Sequence, residues 1–448
     1  MVTIHTQAAY DIVVAGGGPA GLSAAQVAAA QGLRVLLIEK HAEIGSPTRT
    51  SGGSFIADLV ALGVPPHLYH PVHHCHVFGP STRATFSYKE SPRNNFPPLS
   101  GKAAMSLRPK TGSNCLTSPK HSIGCVVNVR SLYQYLAEQA VSSGAELRVQ
   151  SQVLNLVRDG GAVRGVTVRD SAGKVTSISC ALVIDATGFS STLAVKAGIH
   201  ASYRRAGVGA EYDLYAPHFP EDMAALAVGN GIAPAGYAWA FPYGNHRVRA
   251  GVGVLRPDVA ADPADFLDDF IRSYEPLREA FIGASPIERH TGVIPGEGTT
   301  TRFVTDGLMT TGDSAGQASS LFGEGIRYAM YAGRVAGQVG ARAVRQDCVS
   351  AAALAPYEHE WRRRFGRSHQ LAYVVNRILY GSTDAEWDSA VRALQGCGSG
   401  QFARLLASDL SIGLGFRIAM RNPRALGTAA QLLMRARARN TRIAAVAR

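Results

Sequence analysis

The sequence predicts an α/β chain in which a parallel sheet with an antiparallel β-meander is interleaved with a second, mixed sheet and followed by a helical C-terminal region. Three observations carry this. A strand, a glycine turn, a helix and a second strand follow one another between Tyr10 and Lys40. Short apolar runs ending at glycines recur at Ala181–Gly188 and Gly307–Gly316. From about residue 346 the pattern is largely helical. With 448 residues, 46% of them apolar and 17% charged, the chain has material for two or three domains and too little charge for disorder.

YDIVVAG (Tyr10–Gly16) reads as a short buried strand, Pro19–Gln31 as an alanine-rich helix, and RVLLIEK (Arg34–Lys40) as a second buried strand, together one βαβ unit. Residues 46–125 are rich in proline, histidine and serine and read as loops plus the edge of a second domain. In NVRSLYQYLAEQAVSSG, Leu132, Leu136 and Ala140 recur at four-residue spacing before Gly144, which predicts a helix. ELRVQSQVLNLVR, AVRGVTVRD and KVTSISC then predict three strands of a meander, and ALVIDATG a further buried strand. YAWAFPYG and RVRAGVGV alternate as strands do, DPADFLDDFIRSYEPL is helical, and a long helix is expected from about Gly325. The expected division is a discontinuous domain of residues 1–64, 126–198 and 296–345, a second of 65–125 and 199–295, and a helical region 346–448.

Gly16-x-Gly18-x-x-Gly21 falls between that first strand and helix. Gly16 allows the tight turn, Gly18 lets backbone approach a pyrophosphate, and Gly21 lets helix and strand pack closely. Pro19 and Ala20 open the helix, and Glu39, with Lys40 after it, ends the second strand where a carboxylate accepts hydrogen bonds from a ribose. This is a Rossmann-like dinucleotide site. Gly312-Asp313 closes a later strand, and Gly323, Gly325 and Ile326 lead into a helix. An aspartate there suits ribityl hydroxyls, and the helix N-terminus suits the pyrimidine edge of a flavin, which favours FAD over NAD.

Together GGGPAGLSAA with Glu39, VVNVRSLYQYL, LVIDATG and GDSAGQ…GEGIRYAMYAG resemble the FAD-dependent flavoproteins of glutathione-reductase type, in their hydroxylase-like branch. Tyr237-Ala238-Trp239-Ala240-Phe241-Pro242 is similar to the YxWxFP motif of geranylgeranyl reductases. The resemblance, over residues 8–345, implies Arg130 and Gly188 near the FAD and Tyr237, Trp239, Phe241 and Pro242 around a hydrophobic, polyprenyl-like substrate. It implies reduction of carbon–carbon double bonds by reduced flavin. Tyr237 and Glu324 are conceivable proton donors on residue type alone. GSPTRTSGGS carries Ser51 where many relatives have a cysteine, and SSLFGEG lacks a common proline, departures that bear on the substrate more than on FAD. The alternative is a flavin-dependent monooxygenase or halogenase of an aromatic or polyketide product. No second nucleotide fingerprint occurs, so NAD(P)H and a ferredoxin-type donor both remain open as reductants.

The formal net charge is +12, and residues 401–448 hold nine arginines against Asp409. A solvated helical face is one reading of this stretch and an anionic membrane surface the other; no aromatic interleaving points to nucleic acid. YHPVHHCH (Tyr69–His76) carries ligand-type residues, but neighbours so close in sequence rarely reach one ion, so no metal is expected. The six cysteines lack C-x-x-C spacing, which predicts reduced thiols. With no recognisable leader and no long apolar run, a cytoplasmic protein, free or peripheral to a membrane, is expected.

Overall fold

A computed structural model describes residues 10–88 and 124–411. Cys115 and the arginines from 417 onward lie outside the described residues.

The first unit is as expected: β1 (Tyr10–Ala15), α1 (Pro19–Ala29) and β2 (Val35–Ile38), with β1 parallel to β2. The next stretch is more regular than its composition suggests. It holds β3 (Gly53–Phe55), α2 (Ile56–Ala61), β4 (Tyr69–Val72), β5 (His74–Phe78) and β6 (Arg83–Ser87). β5 lies parallel to a strand some 150 residues downstream, a partnership that local periodicity does not reveal. His70, His74 and His76 are therefore strand residues, and His73 lies between β4 and β5. His70 Nε2 donates to the Glu221 carbonyl, and burial pushes the Cys75 thiol up to about 12. Among the described residues no group of three His, Cys, Asp or Glu is arranged to hold a metal ion.

β7 (Gly124–Val127) closes a small sheet with β3 and β4, and α3 (Val129–Ser142) starts at Asn128, whose side chain accepts from Ser131 N–H. The run ELRVQSQVLNLVR is two strands, β8 (Glu146–Arg148) and β9 (Gln152–Asp159), broken at Gln150 with φ +49°. β10 (Ala162–Arg169) follows. KVTSISC and ALVID then form one strand, β11 (Val175–Asp185), and not two. Its first half pairs antiparallel with β10 and its second half parallel with β1, so a single extended segment joins the meander to the parallel sheet. α4 (Thr192–Lys196) follows.

β12 (Ala206–Tyr215), β13 (Met223–Ala227), β14 (Gly236–Gly244), β15 (Arg247–Arg256), α5 (Pro263–Arg272) and β16 (Ser285–Pro295) build a seven-stranded sheet in the order β16-β12-β15-β14-β13-β5-β6. One face, with Ala238, Ala240, Val248, Ala250 and Val252, packs on Leu267 and Phe270 of α5. The chain then returns to the first sheet through β17 (Val304–Thr305) and β18 (Leu308–Thr310), giving the order β17-β18-β11-β1-β2-β8. α6 (Ile326–Arg345) covers that sheet beside α1. A Cβ at Gly333 or Gly337 would lie 2.1 Å from the Ala20 carbonyl oxygen or 2.5 Å from that of Ala24, so this glycine pair sets how closely α6 approaches α1.

The C-terminal part is helical: α7 (Ala351–Trp361), a π turn at Arg362–Gly366, α8 (Arg367–Leu379), α9 (Asp384–Gln395) and α10 (Ser399–Leu406). Among the described residues no helix is long and apolar enough to cross a membrane.

His369 in α8 is buried edge-on against Tyr328 and Trp361, and neither ring nitrogen has a partner among the described residues. Burial, aided by Arg327, pushes its pKa down to about 3. The unfolded chain takes up this proton below its ordinary value of about 6.5, whereas the folded one does not. Stability from this group is thus complete above pH 6.5 and falls as pH drops toward 3, by about 1.4 kcal/mol per unit. Urea titrations should show His369→Phe gaining about 2 kcal/mol relative to wild type between pH 7.5 and pH 5. A constant difference would contradict the burial of a neutral imidazole.

Candidate functional site

The carboxyl ends of β1, β11 and β18 meet at one edge of the parallel sheet, where ligands bind in open α/β folds. The chain leaves each strand through a tight turn. Gly16 has φ +114°, and a Cβ there would stand 2.2 Å from the Ala186 carbonyl oxygen. A Cβ at Gly21 would stand 2.0 Å from Gly16 O, whereas nothing lies within 4 Å of one at Gly18. The turn is therefore closed toward the protein and open toward a ligand. Gly17 N–H donates to Glu39 Oε2 (2.7 Å) and His41 N–H to Glu39 Oε1 (2.9 Å), which holds that carboxylate beside the turn. Pro19 and Ala20 form the first turn of α1, and the Ala20 methyl lies 2.9 Å from where a Gly312 Cβ would be.

Asp185, which sequence reasoning placed in a strand without a role, is fully buried and braces this edge. It accepts from Thr187 N–H and Oγ1 on one oxygen and from the N–H groups of Leu193 and Ala194 on the other. The Gly188 carbonyl accepts from Ser314 Oγ, tying the β11 turn to the β18 turn. Gly312 (φ +66°) donates its N–H to the buried Gln317 side chain.

Asp313 projects its Oδ1 to 3.9 Å from the Cβ position of Gly325, at the start of α6. No described residue hydrogen-bonds its carboxylate, and burial pushes its pKa up to about 6. Gly323 (φ +67°) and Gly325 lead to Ile326, the first residue of α6. Lys40 is exposed. Arg130 is half-exposed and paired with Glu43 (2.6 Å), beside the loop that follows β2. A turn open above Gly18, a carboxylate fixed for a ribose, an unpartnered aspartate and a twenty-residue helix aimed N-terminus first at the same cleft fit FAD.

A cavity opens beside this cleft, between the second sheet and the chain after β18. Arg49, Thr50, Ser51 and Gly323 line its cofactor side, and Asn376 and Tyr380 its far side. Its floor is the glycine-rich face of β12, β15 and β16. A Cβ at Gly251 would meet the Trp239 ring at 2.3 Å, at Gly253 at 3.2 Å and at Gly209 at 3.4 Å, so the indole lies across these glycines. Tyr237 and Trp239 line the cavity; Phe241 packs on Gly53 and Pro242 is buried, and neither lines it. Glu324, next to the lining residue Gly323, does not itself line it. Its Oε2 accepts from Arg327 Nε (2.7 Å), Arg327 in turn pairs with Asp58 (2.8 Å), and burial pushes the Glu324 carboxyl up to about 7. The Tyr237 hydroxyl donates to the Phe322 carbonyl (2.6 Å), and burial raises its pKa.

Two lining residues escaped the sequence reading: Glu211 on β12 and His290 on β16, directly paired across the strands and both buried. The available signal was parity, because Glu211 shares the face of Gly207 and Gly209 in AGVGAEYD.

Residues 11–242 match the sequence-family model for FAD dependent oxidoreductases, and residues 206–291 that for the geranylgeranyl reductase catalytic domain. The chain is 31% identical to digeranylgeranylglycerophospholipid reductase 2 of Methanothermobacter thermautotrophicus, covering 86% of this chain and 92% of that protein. It is 32% identical to the digeranylgeranylglycerophospholipid reductase of Methanothrix thermoacetophila, covering 86% and 91%. Among solved structures, a geranylgeranyl bacteriochlorophyll reductase-like protein of Thermoplasma acidophilum superposes with a TM-score of 0.78 at 24% identity, over 95% of this chain and 99% of that one. The myxobacterial halogenase CndH superposes at 0.64 and 18% identity over 91% and 92%, which shares the fold. With a flavoprotein fingerprint and relatives at this identity along nearly their whole length, the chain belongs to the geranylgeranyl reductase family of FAD-dependent oxidoreductases.

Proposed function

We propose that this enzyme saturates carbon–carbon double bonds of polyprenyl chains, with a prenylated glycerophospholipid as the substrate class that the names of its relatives suggest. The observation that carries the reading is the cavity floored by Trp239 on a glycine-rich sheet face, next to the cofactor cleft. An indole laid flat over Cβ-free strands offers an apolar slot shaped for an extended hydrocarbon.

Reduced FAD, when bound, supplies a hydride to one alkene carbon. The chain's own residues do the rest. Gly16, Gly18, Gly21 and the first turn of α1 hold the diphosphate, and Glu39 holds a ribose. Asp313 holds the ribityl chain, and the positive end of α6 favours the anionic reduced ring. Tyr237 and Trp239 orient the alkene and exclude water, which matters because an isolated alkene is hard to polarise and positioning must contribute strongly. Arg130, on turning from Glu43, would add a cation to the diphosphate site. The arginine-rich stretch 401–448 suits the anionic lipid surface from which such a substrate is drawn.

The test is to incubate the FAD-loaded enzyme, a reductant and a geranylgeranyl-bearing phospholipid anaerobically and weigh the lipid. Mass gains in steps of two hydrogens support the reading. Lipid left unchanged, with an aromatic substrate hydroxylated or halogenated once oxygen enters, would replace it with oxygenation.

A further inference from the structure

The reduction needs a proton as well as a hydride, and neither donor suggested by residue type offers one to the cavity. The Tyr237 hydroxyl is committed to the Phe322 carbonyl, and Glu324, whose Oε2 is held by Arg327, is not among the residues that line the cavity. His290 is no better placed. Its Nδ1 is committed to the Thr48 carbonyl (3.0 Å).

We propose that Glu211, on the cavity floor, is the catalytic acid that protonates the alkene, and that Trp239 positions it. This rests on the reading of the enzyme as a polyprenyl reductase. Glu211 is 4% exposed, lines the cavity, and receives Trp239 Nε1–H on Oε2 at 2.7 Å. No other described residue hydrogen-bonds its carboxyl, and with Oε2 accepting from the indole, Oε1 is the oxygen on which the acid proton sits when the group is neutral. The indole that floors the slot is thus also the group that aims the acid.

Charged and titratable groups around it agree with a neutral carboxyl. Asp213 lies two residues along the same face of β12, Tyr237 faces it from β14 and His290 from β16, and Arg49 lies across the cavity. The guanidinium nearest in character, Arg249 of β15, donates to the carbonyls of Ser51 and Val127 and lies 3.9 Å from Asp213, within ion-pair reach of that carboxylate and not of Glu211. Burial outweighs Arg249 and the Trp239 hydrogen bond and pushes the Glu211 carboxyl up to about 7.

The step balances. The alkene π bond is replaced by two C–H bonds, one from the flavin's hydride and one from the O–H of Glu211. The alkene gains two electrons that the flavin loses, and the carboxylate left behind recovers its proton from water.

Glu211→Gln keeps the shape and the acceptor for Trp239 but has no acid proton. It should bind FAD at the wild-type ratio yet reduce the geranylgeranyl phospholipid about 100-fold or more slower. Wild-type turnover should fall as pH rises through about 7. The infrared difference between the wild type and Glu211→Gln, in which the Glu324 and Asp313 carboxyls cancel, should show a protonated carboxyl band that fades over the same range. A variant within threefold of wild-type turnover overturns the acid role. If the variant fails to hold FAD, wild-type turnover decides: a profile flat from pH 6 to 9 overturns it as well. A wild type that shows the titrating band but saturates no prenyl lipid overturns the functional reading and the donor role with it.

Discussion

Gly21→Val is expected to purify colourless, without FAD. A side chain at this position runs into the Gly16 carbonyl at 2.0 Å and the Ala186 methyl at 3.2 Å. Both belong to the turns that close β1 and β11, so relief requires moving the turn proposed to hold the diphosphate. Overpacking of this kind costs about 1–3 kcal/mol in the apo fold, and the stabilisation contributed by bound FAD is lost in addition. Gly18→Ala separates the two effects. Gly18 has extended backbone (φ −80°, ψ 176°) and open space at its Cβ position. The apo protein should unfold as the wild type does, while FAD affinity drops about tenfold or more, equivalent to 1.4 kcal/mol. Visible absorbance after dialysis and thermal melts with and without added FAD check both. A yellow Gly21→Val protein with the wild-type melting temperature would contradict the placement of the dinucleotide.

Arg327→Leu should destabilise the protein by about 3–5 kcal/mol, the cost of removing the cation from a buried cluster with two carboxylates. Arg327 is 3% exposed and sits in the first turn of α6. It pairs with Asp58 (2.8 Å) and Glu324 (2.7 Å) and donates to Tyr328 Oη and the Ala407 carbonyl. The guanidinium therefore joins α2, α6 and the end of α10. Its loss leaves Asp58 and Glu324 to repel one another. Because burial already holds the Glu324 carboxyl near pKa 7, Glu324→Gln should cost much less than Arg327→Leu near neutral pH. Chemical denaturation of the two variants checks the order, and equal losses would contradict the cluster.

The parts of the fold legible in the sequence are those fixed by neighbours close along the chain. The Gly16–Gly21 turn, the Pro19 start of α1 and the buried run β2 each depend on residues within one βαβ unit, so spacing alone reveals them. Gly333 and Gly337 show within the helix pattern, although their purpose, contact with α1, is tertiary. What was missed depends on distant partners. β11 is one strand because its two halves find different neighbours, β10 and β1. The region 46–125 looked irregular because β5 and β6 are completed by β13, far away in sequence.

The candidate site divides the same way. The cleft glycines, Glu39 and Asp313 follow from strand ends and turns. Glu211 could not, because an acid alternating with Asp213 in AGVGAEYD looks like a solvent-facing strand residue. Its burial is created by Trp239 folding across Gly251 and by β16 pairing on its other side. Phe241 and Pro242 show the converse. Membership in a motif placed them near the substrate, but Phe241 packs against Gly53 and Pro242 is turned to the buried face of the sheet.

The central claim is tested most directly by an anaerobic single turnover with no other electron source. The enzyme's flavin is reduced photochemically, mixed with a geranylgeranyl phospholipid or its saturated counterpart, and followed by its visible absorbance. The account predicts that the yellow band returns with the unsaturated lipid alone, one equivalent of flavin oxidised for each double bond lost. Flavin that stays reduced with both lipids until oxygen is admitted would contradict it.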